Sequence, residues 1–230
     1  METITIEANS GASGILIGER WQNLQRYLPA ARPIIITDVN VGKLYPLDIT
    51  AAEVITIGTG EEIKTLDTVR DIYGQLVSCA ADRVAFIVGV GGGIVCDITG
   101  FVASTFMRGV RFGFVATTLL AQVDAGIGGK NGVNFQGYKN MVGLFQQPEF
   151  VICDPEVLKT LPQGNYHAGW QKSSNMPPSQ MPICLLILNS IMKTFWRWTV
   201  RPLKSWCGPR CASNHRSSAE TKPKKASAAC

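Results

Sequence analysis

The stretch "AFIVGVGGGIVCDITGFVAS", residues 85–104, constrains the fold more than any other part of the chain. Its first six residues, Ala85–Val90, present no polar side chain, so as a strand they must be covered on both faces. The strand runs through Gly89 into Gly91, Gly92 and Gly93, and an apolar helix follows from about Ile94. Glycines let a backbone turn sharply and approach a ligand closely. The helix start then offers free N–H groups and the positive end of its dipole to a phosphate. The spacing G-x-G-G-G departs from the G-x-G-x-x-G fingerprint, and a structural tight turn is the plain alternative. The strand–glycine–helix context favours a pyrophosphate over a structural tight turn. Asp97, a carboxylate, suits a ribose or dipole role better than a phosphate.

The residues around this stretch repeat the same rhythm up to Gly169. Short β-branched runs occur at Ile4–Ile6, Ile15–Ile17, Pro33–Thr37, Val54–Ile57, Val84–Val90 and Phe112–Ala116. Over Lys64–Ala80, Leu66, Val69, Ile72, Tyr73, Leu76 and Val77 recur at helical spacing. Buried strands alternating with amphipathic helices argue for parallel strands with crossover helices, an α/β nucleotide-binding architecture.

Three further stretches hold candidate site residues. "TDVNVG" closes a strand and puts Asp38 and Asn40 at a carboxyl end, where an acid holds ribose hydroxyls or simply caps a helix. "TTLLAQVDAGIGGKNGVNFQGYKN" carries Asp124, Lys130, Lys139 and Asn140 among five glycines. Such a loop suits an anionic, phosphorylated substrate, or is merely solvated. Arg108 and Arg111 in "MRGVRF" face the same pair of readings.

Composition divides the chain at about the same place. Residues 1–169 hold 12 Lys/Arg against 16 Asp/Glu, a net of −4, and 22 of the 23 glycines. Residues 170–230 hold 10 Lys/Arg against Glu220 alone, a net of +9, with four of the five tryptophans. Past Gly169 the rhythm stops: "NMPPSQMPIC" sets Pro177, Pro178 and Pro182 within six residues, which a helix interior does not tolerate. The end, "SSAETKPKKASAAC", has the composition of a disordered tail. Seven irregularly spaced cysteines make no disulfide framework. Met1–Ser10 lacks a basic start and an apolar core, and Ile183–Leu188 is too short for a membrane span. A cytoplasmic protein with no membrane and no nucleic-acid partner is expected.

Taken in order, "GEEIKTL", "GGGIVCDITGFVASTFMRGVRF", "TTLLAQVDAGIGGKNGVN", "KNMVGLFQQP" and "LKTLP" resemble 3-dehydroquinate synthase over essentially all of residues 1–169. The resemblance implies a Rossmann-like NAD-binding α/β domain of the dehydroquinate synthase-like fold, followed in the family by a helical metal-binding domain. It implies NAD contacts at Asp38, Asn40, Glu61, Lys64, Gly92, Gly93 and Asp97. Thr117, Thr118, Lys139, Val157, Leu158, Lys159 and Thr160 complete that set. Asp124, Lys130 and Asn140 match substrate-binding positions, and Arg108 matches one that reaches the neighbouring subunit's site in a homodimer. The family substrate is a phosphorylated keto-sugar acid. NAD transiently oxidises a ring hydroxyl of it, phosphate leaves, and ring opening and aldol closure give 3-dehydroquinate. A divalent metal, zinc or cobalt, polarises the reacting oxygens.

The resemblance stops at Gly169. After "HAG" the family reads roughly "LAEIIKY", whose glutamate is a metal ligand; here Lys172 stands in its place and Asn175 replaces a substrate-binding lysine. His167 and His215 have no matching context. "GWQKSSNM" can be encoded GGC TGG CAG AAA TCA TCA AAT ATG. One C restored after GGC yields Gly-Leu-Ala-Glu-Ile-Ile-Lys-Tyr, the family motif. The same shift makes "ASNHRSS" and "ETKPKKA" family-like. Residues 170–230 are therefore read as a frameshift product ending at a premature stop, and the chain is expected to lack the metal ligands and synthase activity. Rival readings are a metal- and NAD(P)-dependent alcohol or glycerol dehydrogenase relative, and a non-catalytic NAD-binding protein with a basic interaction tail. A zinc site from Cys207, Cys211, His215 and Cys230 matches no compact knuckle.

Overall fold

Nine strands, four α-helices and several short helical segments are the bounded elements among the described residues. The computed structural model describes residues 1–29, 32–47, 49–162, 164, 169–171 and 181–196, and all of these but Trp196 belong to the unit Met1–Phe195. The strands are β1 (Glu2–Ala8), β2 (Gly11–Ile17), β3 (Pro33–Asp38), β4 (Glu53–Ile57), β5 (Phe86–Gly91), β6 (Arg111–Ala116), β7 (Lys130–Phe135), β8 (Tyr138–Phe145) and β9 (Phe150–Cys153). The helices are α1 (Val39–Leu44), α2 (Leu66–Ser78), α3 (Gly93–Thr105) and α4 (Met181–Trp196). Seven strands form one sheet in the order β1-β2-β9-β6-β5-β3-β4, while β7 and β8 pair apart from it. From β2 to β4 every neighbour is parallel.

Side chains alternate across a strand, so each apolar strand feeds two cores. Ile34 and Ile36 join Val69, Ile72 and Leu76 of α2 and Ile98 and Val102 of α3 on one face. Ile35 joins Phe86, Val88, Leu24 and Val41 on the other. Interior strand β5 is buried at all six positions, as a strand covered on both sides requires. Thr65 caps α2, its hydroxyl accepting the Thr68 N–H at 3.3 Å. The end of β9 is fixed by fully buried Asp154, whose carboxylate accepts the N–H of Trp21 at 3.0 Å and of Glu156 at 2.9 Å.

The α/β class read from the sequence is the observed one, with four differences. The strand expected from Val84 starts at Phe86, because Val84 is held in a turn by its N–H on Asp82 Oδ1 at 3.0 Å. β1 and β2 are antiparallel and joined by a tight turn instead of a crossover helix. The glycine-rich stretch after Thr117 is not one loop: it contains β7 and leads into β8, and β9 follows. Past Gly169, where no regular element is expected, α4 forms. Pro182 falls in its first turn, where the missing N–H has no intrahelical acceptor to lose. Cys184, Ile187 and Ile191, at helical spacing, enter the same core as α2 and α3.

Candidate cofactor and substrate cleft

Sheet order decides where a ligand can lie. The chain steps outward from β3 to β4 and then returns to β5 on the opposite side of β3. The segments leaving β3 and β5 therefore diverge, and such a switch point opens the crevice in which open parallel sheets bind ligands. A cleft of about 1360 Å³ lies there, lined by Asp38, Gly92, Thr118 and Lys130 among others.

At the end of β3, the Asp38 carboxylate accepts the N–H groups of Asn40 and Val41 at 2.8 and 3.0 Å. It is thus a helix cap within the cleft lining, so the two readings of this residue are compatible. At the end of β5, none of Gly91, Gly92 and Gly93 adopts a positive φ. They are required by crowding instead. A Cβ at Gly91 would lie 2.5 Å from Val95, at Gly92 2.9 Å from the Thr118 methyl, and at Gly93 3.1 Å from Ala125. α3 therefore starts on two glycines, Gly92 as N-cap and Gly93 as its first residue, with Ile94 and Val95 beside them in the lining and helix N–H groups that have no intrahelical acceptor. A cradle a Cβ would fill, at the start of a 13-residue helix, fits the pyrophosphate of NAD.

The same lining holds a largely buried ion pair. Lys64 is 4% exposed, and its Nζ sits 2.5 Å from both Asp97 Oδ2 and Asn140 Oδ1. Burial pushes the Asp97 carboxyl up to about 6; Lys64 opposes this, and the charges of Asp124 and Glu61 add to it. Thr117 donates its N–H to Gly91 O at 2.9 Å, and Thr118 Oγ1 accepts the Ala121 N–H at 3.2 Å. Thr118 thereby opens the π-turn Ala121–Ala125 that carries Asp124, a distortion often found at functional sites. Buried Gln122 anchors that turn by donating to Ala116 O and Asp154 O, each at 3.0 Å.

The third side is the β7–β8 hairpin, which brings Lys130, Lys139 and Asn140 to the lining. Most of the residues singled out in the sequence meet here, Asn40, Glu61 and Thr160 included. Five do not line the cleft, among them Arg111, whose guanidinium donates to both carboxylate oxygens of Glu149. Arg108 is exposed on a turn where it and Met107 both take positive φ, +71° and +50°. Val157 and Leu158 are buried in the core, so only their backbone can face a ligand, and Lys159 pairs with Glu156. Tyr45, which sequence reasoning missed, does line the cleft. Its hydroxyl donates to Val157 O at 3.1 Å and lies 2.6 Å from Thr160 Oγ1. Asn134 was also missed, although it stands inside the quoted "GGKNGVN".

Among the described residues no three His, Cys, Asp or Glu side chains are grouped to hold a metal, so this part of the chain does not fit one. His167, Lys172, Asn175, Cys207, Cys211, His215 and Cys230 lie outside the described residues. Among the described residues, too, no helix is long and apolar enough to cross a membrane.

The family model "3-dehydroquinate synthase N-terminal" matches residues 54–168. The 3-dehydroquinate synthase of Acetivibrio thermocellus is 48% identical over 144 residues, which are 59% of this chain and 40% of that protein. The 3-dehydroquinate synthase of Halorhodospira halophila is 42% identical over 176 residues, 74% of this chain and 50% of that protein. The chain thus spans about half the length of the curated relatives it matches. Among solved structures, 2-deoxy-scyllo-inosose synthase complexed with carbaglucose-6-phosphate, NAD+ and Co2+ superposes with a TM-score of 0.66 at 29% identity, covering 75% of this chain and 50% of that one. A solved structure described as a probable glycerol dehydrogenase from Sinorhizobium meliloti superposes with a TM-score of 0.51 at 19% identity, covering 66% of this chain and 41% of that one, a likeness of fold alone. With half of its length matched by the family model and a cleft at the expected switch point, the chain belongs to the 3-dehydroquinate synthase family through the N-terminal domain of that family.

Proposed function

We propose that residues 1–169 are the NAD-binding part of a 3-dehydroquinate synthase, which converts 3-deoxy-D-arabino-heptulosonate 7-phosphate to 3-dehydroquinate and phosphate. The observation that carries this reading is the glycine start of α3 at the β3/β5 switch point, in one cleft lining with the Lys64–Asp97–Asn140 cluster that Asp97 of α3 itself joins. When bound, NAD supplies the acceptor and then the donor of a hydride at a ring carbon of the substrate. The chain's own residues do the rest of the binding. Gly92, Gly93 and the first turn of α3 receive the pyrophosphate, and Asp38 and Asn40 meet a ribose. Thr160, steadied by Tyr45, closes the far end. Lys130 and Lys139 are cationic and suit the carboxylate and phosphate of a phosphorylated keto-sugar acid. Asp124, on its anchored π-turn, is placed to accept a hydroxyl hydrogen bond. Lys64 Nζ is pinned between Asp97 and Asn140 Oδ1, which leaves the amide nitrogen of Asn140 for the substrate.

The out-of-frame reading of residues 170–230 leads to the further proposal that this chain does not turn over. Lys172 in the position of a metal-binding glutamate repels a divalent cation. The exposed, left-handed turn at Arg108 suits a residue offered to a second copy in a homodimer, and the cytoplasm remains the proposed compartment. Isothermal titration of the purified chain with NAD+ tests the cofactor reading, and saturable binding lost in Gly92→Val is expected. Phosphate release with substrate, NAD+ and zinc is expected to stay at background. Turnover near that of a full-length synthase removes the proposal of inactivity.

A further inference from the structure

The β7–β8 hairpin is regular from Lys130↔Phe145 to Val133↔Val142 and then slips, resuming at Phe135↔Tyr138. Between the last two pairs only Asn134 stands on β7, against Lys139, Asn140 and Met141 on β8. All three β8 residues of this bulge, Lys139, Asn140 and Met141, line the cleft, and bulges re-aim side chains beside active sites. Asn140 takes a left-handed φ of +52°, a conformation an asparagine adopts more readily than most residues.

Asn134 ties the bulge to the cofactor loop with both ends of its amide. Its Oδ1 accepts the Asn140 N–H at 2.9 Å, and its Nδ2 donates to Glu61 Oε1 at 2.9 Å. Its own N–H donates to Lys64 O at 2.8 Å, and it bridges Thr65 in a parallel sense. Lys64 Nζ then reaches Asn140 Oδ1, closing a circuit Asn134–Asn140–Lys64–Asn134. An asparagine alone fits: the geometry asks for one acceptor and one donor at a single side-chain length. Aspartate keeps the acceptor but faces Glu61 with like charge.

We propose that Asn134 is a positioning residue that sets the cofactor loop Glu61–Thr65 and the Lys139–Asn140 bulge in one register, so that a ligand gripping the loop also orders the bulge. The identity of that ligand rests on the NAD reading above.

Hydrogen–deuterium exchange of the full chain, with and without saturating NAD+, tests this. In the wild type NAD+ is expected to slow exchange over residues 61–65 and also over residues 138–142. In Asn134→Ala without ligand, both segments exchange about fivefold to tenfold faster, the scale of one or two lost hydrogen bonds. With NAD+, protection of residues 61–65 persists and that of residues 138–142 is lost, while β5 and α3 exchange as before. Asn134→Asp recovers the Asn140 amide but not the loop. Wild-type-like protection of the bulge in Asn134→Ala, or a uniform acceleration that includes β5 and α3, overturns the proposal. If NAD+ protects nothing in the wild type, the cofactor reading fails by itself, and the ligand-free rates still decide. Equal rates in the two proteins overturn the register role; acceleration confined to the two segments upholds it.

Discussion

Where the cleft is bounded by the ends of β3 and β5, its wall is the edge of the core. Val88, Val90 and Ile36 behind it are at most 1% exposed, and the strands are stitched by Thr37 Oγ1 on Val90 O at 2.8 Å. Where it is bounded by the β7–β8 hairpin, Tyr138, Met141 and Phe145 are 64%, 58% and 71% exposed, and the tip is held by side chains such as Lys64 and Asn134. The first wall can hardly move without unfolding the sheet. The tip of the second can, because beyond Val133, which is buried in the main core, few buried apolar contacts resist it. Under the function proposed above, cofactor recognition is pre-formed and substrate recognition adjustable.

A matched pair of phenylalanines frames the contrast. Phe114→Ala, in β6 at 1% exposure, is expected to lose about 3–5 kcal/mol in chemical denaturation, the usual cost of deleting a buried aromatic. A loss below about 1 kcal/mol in Phe114→Ala would abolish the distinction. Gly92→Val fills the seat at the start of α3, and its affinity for NAD+ is expected to fall at least about 100-fold by titration, equivalent to about 2.7 kcal/mol. Lys64→Met leaves Asp97 without its counter-ion. Its stability is expected to drop by about 3 kcal/mol at pH 8, and by clearly less at pH 5, where the carboxyl is protonated.

The pH dependence of the wild type sharpens the same point. Because Asp97 binds its proton more tightly folded, at about 6, than unfolded, near 3.8, its effect is a stability present at low pH and lost as the pH rises through about 6. Asp97→Asn lacks that slope. Measured at pH 4, 5, 6 and 7, its stability relative to wild type is expected to climb up to about pH 6 and then level off; a flat difference contradicts the assignment. The smallest effect belongs to the hairpin: Phe145→Ala is expected to change stability by no more than about 0.5 kcal/mol.

Legibility in the sequence divides along the same line. β3, β6 and α2 were legible because burial writes itself as apolar runs or helical spacing, as in "PIIIT" and in Val69, Ile72 and Leu76. The glycine turn was legible from its neighbours, though its glycines answer to crowding by Val95 and Thr118 and not to a left-handed backbone. The hairpin was not, since "KNGVNF" and "YKNMVGLF" alternate weakly and pair with each other away from the main sheet. Four-residue β9 is a strand by virtue of the slot between β2 and β6, which nothing local announces. Asp124, Lys130 and Asn140, which line the cleft, stood out as polar residues of a glycine-rich stretch and again through motif resemblance. Tyr45 and Asn134 were missed because their roles consist of contacts to residues far away in the chain. For α4, the prolines mask the apolar spacing in the sequence, whereas in the structure Pro182 occupies the tolerant first turn.

The place of β9 has a consequence for how the molecule comes into being. Because β9 fills the slot between β2 and β6, the N-terminal hairpin has no partner in the main sheet until residue 153 has been made. A nascent chain emerging from the ribosome therefore carries two sticky flanks, Ile15–Ile17 and Phe112–Ala116, the first of them for well over a hundred residues of elongation. Such late, distant closure makes for slow folding and a long window for misassembly. Any fragment that ends before Phe150 leaves those flanks open for good, and it is destined for inclusion bodies or for a chaperone.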